Sequence, residues 1–161
     1  MVLLACAALA ACAQSTGAGS APTSTPRTSR SLPPAPPGAV AWSKRFCTIV
    51  NDVQQGVWKT PTGHDADTPD ELKQWWSAHY AGARDALATG TRLLAELGSA
   101  PVAGGDAAIR KLIDKFDAAR RLAEDGEARM DALPAGSIEA GIGGIDQSAW
   151  PTIVRASANP F

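Results

Sequence analysis

Apolar residues recur at intervals of three and four residues along most of the chain after residue 40, the spacing of one face of an α-helix. In the first such segment they form a single stripe made of Trp42, Phe46, Ile49, Val50, Val53 and Val57. The polar residues of this segment, such as Lys44 and Asp52, lie away from the stripe. The pattern predicts an amphipathic helix from about Val40 to Trp58.

The second segment has a well-marked helix start. Thr68-Pro69-Asp70-Glu71 places an N-cap threonine before a first-turn proline and has a glutamate three residues after the cap, which is a capping box. Core positions then alternate at four and three residues through Leu72, Trp76, His79, Ala83, Ala86, Gly90, Leu93 and Leu97. The spacing predicts a long helix that Gly98 ends and that packs at a shallow angle on its neighbours.

A short loop, residues 99–105, leads to a third predicted helix with Asp106 as its cap. Its seam reads Ile109, Leu112, Phe116, Ala119, Ala123, Gly126, Met130 and Leu133. Two long helices with matching seams and a short link predict an antiparallel hairpin, with Phe116 near Gly90 and Glu127 roughly opposite His79. The seams contain many small residues, which indicates either close backbone approach or a cavity for a ligand; close approach is the simpler interpretation.

The last segment, residues 137–161, keeps helical spacing at Ile138, Ile142, Ile145, Ala149 and Ile153. Gly141, Gly143, Gly144 and Pro151 each disfavour a continuous helix, so a broken fourth helix with a bend near Trp150-Pro151 is expected. The fold class predicted for residues 40–161 is therefore all-α, a small up-down bundle of three to four helices.

The chain begins with an apolar run, Val2 to Ala11, that has the length of a signal-peptide core. Leu9-Ala10-Ala11-Cys12 resembles the lipobox that signal peptidase II families cleave, with small residues before a cysteine. By this resemblance residues 1–11 are a lipoprotein signal peptide and Cys12 becomes the diacylated first residue. Two acyl chains would hold the protein on the extracytoplasmic face of the cell membrane. No basic residue precedes Arg27, which indicates a start codon placed too far downstream or a chance alanine-rich start.

Residues 12–39 follow as a segment rich in Ser, Thr, Gly, Ala and Pro, with Arg27 and Arg30 as its charges. Such a composition cannot bury enough apolar surface to offset its ordering entropy, so a disordered tether is expected. The run of prolines near its end favours extended polyproline II and would lift the bundle off the membrane. A recognised proline motif or a glycosylated stalk is the alternative.

The composition and the motifs of the chain limit the classes of function that the protein can have. The 15 Lys and Arg residues balance 16 Asp and Glu residues, so the chain lacks the basic excess of a nucleic-acid binder. The sequence contains no catalytic triad, no phosphate-binding glycine loop and no complete metal signature. We therefore expect that the protein is not an enzyme and that it binds no cofactor.

Several residues are candidates for a site. Trp76, His79, Phe116 and Glu127 would line a ligand pocket if the hairpin leaves a cavity. The His79–Glu127 pair would then be a metal half-site, a pH-sensitive latch or a satisfied core histidine. Cys47 is the one thiol left after Cys12 is lipidated, and it is either a reactive or intermolecular thiol or a half-buried inert one.

Two further groups have weaker signals. His64, Asp65 and Asp67 offer cation ligands in one loop but lack a fourth partner, which favours a solvated loop. The chain is also rich in tryptophan, and we expect Trp76 to face the core while Trp75 and Tyr80 lie at its edges. Exposed aromatic residues would stack on a ligand or anchor a protein partner.

The order of lipobox, Ser/Thr/Pro tether, a helix with Phe46-Cys47 and two long alanine-rich helices resembles the small secreted helical lipoproteins of high-GC actinobacteria. The resemblance implies a cell-surface bundle and no particular activity. Members often pair a first-helix cysteine with one near the C-terminus, and that second cysteine is absent here, through loss of the bridge or truncation. We expect a noncatalytic binding or interaction module with an envelope protein as its partner. The alternative is a lipoprotein that delivers a small ligand or metal to a transporter.

Overall fold

The computed structural model describes residues 34–59, 68–134 and 137–158, and within the last range it leaves out the side chains of residues 139, 140 and 142–148. The described residues form four helices and no strand: α1 Ala39–Trp58, α2 Pro69–Ala95, α3 Gly105–Ala132 and α4 Ile138–Ala158. The predicted all-α bundle is therefore confirmed. The predicted signal peptide, Cys12, most of the tether and the loop at residues 64–67 lie outside the described residues.

The α2–α3 hairpin is the centre of the fold. A Cβ atom added at Gly90 would lie 3.4 Å from the ring of Phe116, and one added at Gly126 would lie within 3 Å of the ring of Tyr80. Both contacts fit one antiparallel register, the register predicted for Phe116 and Gly90. The predicted α3 seam is buried from Ile109 to Met130, with Leu133 half-buried at its end.

The other two helices cover different halves of this hairpin. α1 packs on the C-terminal half of α2, where Val53 contacts Gly90 and Gly56 approaches Ala86. α4 packs mainly on α3 and brings Trp150 against the N-terminal half of α2. We call the end of the bundle where α1 begins, together with residues 96–104 and the start of α3, the tether end. The opposite end, where α2 begins and α3 ends, is the far end.

The predicted seam of α2 is right in part. His79, Ala83, Gly90 and Leu97 are buried as expected, but Leu72, Trp76, Ala86 and Leu93 are only half-buried. Their neighbours Tyr80, Leu87 and Leu94 are buried instead. The reason is that α2 contacts three helices rather than one, so its buried face is wider than the narrow seam of a two-helix contact.

The helix ends show one prediction confirmed and one wrong. At Thr68 the capping box is complete, since the Thr68 amide donates to Glu71 Oε2 at 3.0 Å and the Glu71 amide donates to Thr68 Oγ1 at 3.3 Å. Asp106 is not the cap of α3, which begins after Gly104, a glycine at φ 78°. The Asp106 carboxylate instead accepts a hydrogen bond from the Ala100 amide at 2.6 Å and so closes the α2–α3 loop.

The expected break in the fourth helix is wrong. α4 is continuous from Ile138 to Ala158 with Pro151 inside it. A Cβ at Gly141 would lie 2.5 Å from Leu133 Cδ1, so this glycine permits α4 to approach the end of α3 closely. Burial of Ala149, Ile153 and Ala156 against the hairpin stabilises the helix against the local cost of glycine and proline, because tertiary packing routinely overrides propensity.

Candidate functional site

Five aromatic rings meet where α4 crosses the N-terminal half of α2. We call Trp75, Trp76, His79, Tyr80 and Trp150 the aromatic cluster. His79 is at its centre: its ring stacks on Trp75 at 5.3 Å and 12°, meets Trp76 edge-on at 5.8 Å and lies 4.1 Å from Trp150. Tyr80 meets Trp150 edge-on at 5.7 Å. Four members come from little more than one turn of α2, so only Trp150 depends on the tertiary fold.

The cluster has a buried floor and a half-exposed rim. His79 is 8% exposed and Tyr80 is fully buried, whereas Trp75, Trp76 and Trp150 are half-buried. Tyr80, which was expected at the edge, is therefore in the core, whereas Trp76 packs against the core with part of its ring exposed. Half-exposed indole rings held by stacked neighbours offer rigid, flat apolar surface to another ring or an aliphatic group, at low cost in side-chain entropy.

Glu127 is not the partner of His79 as the hairpin alignment suggested. Its carboxylate forms an ion pair with the Arg84 guanidinium across the hairpin, and Arg84 Nε also donates to Asp85 at 2.9 Å. The hydrogen bond to Asp85, with the charge of Glu127, raises the pKa of Arg84 above its ordinary value despite partial burial. Matching the two helix seams across the loop did not predict this pair. Arg84 and Glu127 lie on the flank of the seam, where a small rotation of either helix decides which side chains meet.

The four residues predicted to line a pocket do not converge. Trp76 and His79 belong to the aromatic cluster, but Phe116 packs on Gly90. Gly90 and His79 are eleven residues apart on α2, which is about 16 Å along the helix. The small residues of the seam receive large side chains, Phe116 and Val53 at Gly90 and Tyr80 at Gly126. The structure thus shows close approach along the seam, with the aromatic cluster as a separate feature.

A shallow groove runs between α1 and α2, with a volume of about 310 Å³. Its floor is formed mainly by apolar residues, several of which have small side chains. Two carboxylates lie at its rim, Asp52 on α1 and Asp85 on α2. The lining residues are Ile49, Asp52, Val53, Gly56, Asp85, Ala86, Thr89, Gly90 and Leu93. Gly56 is the one signal in the sequence that could have indicated this groove, because its missing Cβ lets α1 approach Ala86.

The remaining candidates are placed as follows. Cys47 is half-buried and packs against the core from α1, while Trp58 at the end of the same helix is 52% exposed. Arg120 pairs with both Asp117 and Glu124 on its own helix. These carboxylates, three and four residues away on the same helix, occupy the guanidinium ahead of an external anion.

Within residues 34–59, 68–134 and 137–158, no three His, Cys, Asp or Glu side chains are grouped so that they could hold a metal ion. None of the described helices combines the length and apolarity needed to cross a bilayer. No family model, curated protein or solved structure matches this chain.

Proposed function

We propose that this protein is a lipoprotein of the extracytoplasmic membrane face, held by a diacylglyceryl group on Cys12, whose helical bundle is a noncatalytic interaction module. The observation that carries the anchor is the motif Leu9-Ala10-Ala11-Cys12 at the end of an apolar run. A tether composition follows it, and the first helix begins at Ala39, where that composition ends.

The anchor is tested by metabolic labelling with an alkyne fatty acid and fractionation of the cells. We expect label on the wild-type chain and its recovery with membranes, and loss of both in Cys12→Ala. Cys6→Ala is the matched control, since Cys6 lies in the same apolar run but lacks the preceding Leu-Ala-Ala triplet. Equal labelling of wild type and Cys12→Ala, or loss of labelling in Cys6→Ala alone, would contradict the assignment of the lipidated cysteine.

The interaction surface of this module is the aromatic cluster. Each of its half-exposed tryptophans contacts at least two other rings of the cluster. Well-packed aromatic anchors of this kind are enriched at the centre of protein interfaces. The partner that fits is an envelope protein that presents an apolar or aromatic side chain. Three of its five rings are indoles, and the imidazole of His79 and the phenol of Tyr80 are buried beneath them, so recognition is through the faces and edges of the indole rings.

Native mass spectrometry of the protein released gently from its own envelope tests this surface. We expect a complex of defined mass that Trp75→Ser weakens and that Trp58→Ser leaves intact, since Trp58 is exposed on α1 outside the cluster. A complex equally sensitive to both substitutions, or insensitive to Trp75→Ser, would remove the cluster from the interface. A small added mass in place of a protein would favour the second candidate, a lipoprotein that carries a small aromatic ligand on the same rings for delivery to a transporter.

A further inference from the structure

The tether end of the bundle carries a set of basic side chains. Lys44 and Arg45 are exposed on the second turn of α1, and Arg110 and Lys111 are exposed on the second turn of α3. None of these four forms an ion pair with a described residue. Their side chains are therefore available to an external anionic surface.

The acidic side chains nearest this end are largely occupied or set back. Glu96 pairs with Arg92 at 3.0 Å, and Asp106 accepts the hydrogen bond from the Ala100 amide. Asp114 lies one turn farther along α3, toward the middle of the bundle and away from the outermost residues of the tether end, which we call its tip. Basic charge at the tether end is therefore in excess of acidic charge.

The chain leading into this end extends the same pattern. From Met1 to Asn51 the sequence contains no Asp or Glu, and its charged residues are Arg27, Arg30, Lys44 and Arg45. The first acidic residue is Asp52. All charges in this part of the chain are thus basic, in a protein whose formal net charge is -1.

The compensating acidic charge is at the far end. Near the start of α2 and the end of α3 the acidic residues are Asp70, Glu71, Glu124, Asp125, Glu127 and Asp131. The basic residues of these two stretches are Lys73 and Arg129. Lys73 donates to the Asp131 and Leu133 carbonyl oxygens, and Arg129 pairs with Asp125 at 2.8 Å. Glu124 and Glu127 pair in turn with Arg120 and Arg84, so the acidic excess of the far end rests on Asp70, Glu71 and Asp131. With this excess at one end and the basic side chains at the other, the bundle is electrically polar along its long axis.

The tip of the tether end is also apolar. Among the described residues, the large hydrophobic side chains that are exposed are Val40 at 77%, Trp58 at 52% and Val102 at 53%. Val40 and Val102 both lie at the tether end, on the first turn of α1 and in the α2–α3 loop. Trp42 Nε1 donates to the Gly98 carbonyl oxygen at 3.4 Å, which ties these two pieces of the tip together.

We propose that the tether end is a docking surface for an anionic lipid bilayer. The two valines meet the headgroup region, and Lys44, Arg45, Arg110 and Lys111 lie on the second turns of their helices behind it. The four basic residues lie five to six residues from the ends of their helices, about 8–9 Å from the tip. That distance is about one Debye length at physiological salt, so their charges act on a bilayer that meets the tip.

The orientation of this surface rests on the anchoring proposed above, because a chain held at Cys12 enters the bundle at the same end. The surface itself does not need the anchor. Juxtamembrane basic residues bind anionic leaflets additively, and a weak attraction is enough when a lipid anchor already keeps the domain close. The acidic far end is repelled by the same bilayer and faces outward, as an interaction module requires.

The test is vesicle cosedimentation of the chain from residue 12 onward with Cys12→Ser, so that no acyl group contributes. The probes are vesicles of phosphatidylglycerol with phosphatidylethanolamine, and vesicles of phosphatidylcholine alone. We expect binding to the first and not the second, with loss of binding as salt is raised. Arg45→Gln with Arg110→Gln should lower the partition coefficient about 30-fold, at roughly fivefold per basic residue.

The matched control is Arg121→Gln with Arg155→Gln, which changes net charge equally. Both residues are exposed, and Arg121 lies sixteen residues into α3, about 24 Å from the tip. Circular dichroism establishes that each variant is folded. Binding of the control pair should match that of the parent chain.

Three outcomes would overturn the proposal: no binding of the parent chain to anionic vesicles, equal binding to phosphatidylcholine, or equal losses in the two double variants. Sedimentation without vesicles would do so too, because it would assign the two charged ends to head-to-tail contact between copies. Labelling of Cys12 does not enter this assay. Absence of vesicle binding would therefore leave the anchor proposal intact. Absence of labelling at Cys12 would likewise leave the docking proposal intact.

Discussion

Replacing Gly126 by alanine tests the close approach at the centre of the hairpin. A Cβ at this position would lie 2.5, 2.7 and 2.9 Å from three atoms of the Tyr80 ring, against 3.5–4.0 Å for an ordinary carbon–carbon contact. Tyr80 is fully buried and is held by Trp76 and Trp150, so its ring cannot retreat by the ~1 Å required. Overpacking of this kind costs about 1–3 kcal/mol.

Gly82 provides the matched control. It lies within α2, is exposed, and has no heavy atom within 4 Å of an added Cβ. Glycine-to-alanine substitution inside a helix stabilises by about 1 kcal/mol at either site, so the propensity gain cancels when the two variants are compared. Gly82→Ala should therefore exceed Gly126→Ala in free energy of unfolding by about 1–3 kcal/mol.

The assay is urea denaturation followed by circular dichroism, with thermal melts as a second measurement. A difference of 1 kcal/mol corresponds to roughly 4 °C in melting temperature for a domain of this size. If Gly126→Ala proved as stable as Gly82→Ala, the ring of Tyr80 would not occupy the space above Gly126. The hairpin register described above would then be wrong.

Other perturbations test features at the surface. Thr68→Ala removes the side-chain half of the capping box and should destabilise the protein by about 1 kcal/mol in urea denaturation; Thr48→Ala, at an exposed mid-helix position, should not. Lys73→Met keeps the apolar stem but loses both hydrogen bonds to the last turn of α3. Faster amide exchange confined to that turn is expected, and unchanged exchange would contradict the contact. A double-mutant cycle of Arg84→Ala and Glu127→Ala should give a coupling of about 0.5–1 kcal/mol. A coupling near zero would show that the pair is not formed in solution.

Much of the hairpin was predictable because its determinants are local. The capping box needs only the order Thr68-Pro69-Asp70-Glu71, and the α3 seam follows from the spacing of its apolar residues. The contact of Phe116 with Gly90 followed once both seams were counted outward from one short loop. Matching periodicity and a short connection leave little freedom in the register.

The candidate site was less predictable, and the aromatic cluster shows why. Trp75, Trp76, His79 and Tyr80 are adjacent in sequence, and their grouping on α2 was visible from their numbers. Their burial was not, because a helical wheel gives relative directions on one helix and not the positions of its neighbours. Trp150 joins the cluster through the packing of α4, a contact between residues about seventy positions apart.

By itself the sequence determined where α1, α2 and α3 lie, where α2 begins, and which residues of α3 are buried. It also contains the motif Leu9-Ala10-Ala11-Cys12 and no acidic residue before Asp52, and neither feature needs a fold to be read. Only the tertiary structure decided that α4 is continuous through Pro151 and that Tyr80 rather than Trp76 is in the core. It also decided that Glu127 meets Arg84. The physical reason is that spacing and capping act within a few turns of one helix. Packing energy, in contrast, depends on which other helix covers each face, and it exceeds the local cost of a glycine, a proline or a shifted seam.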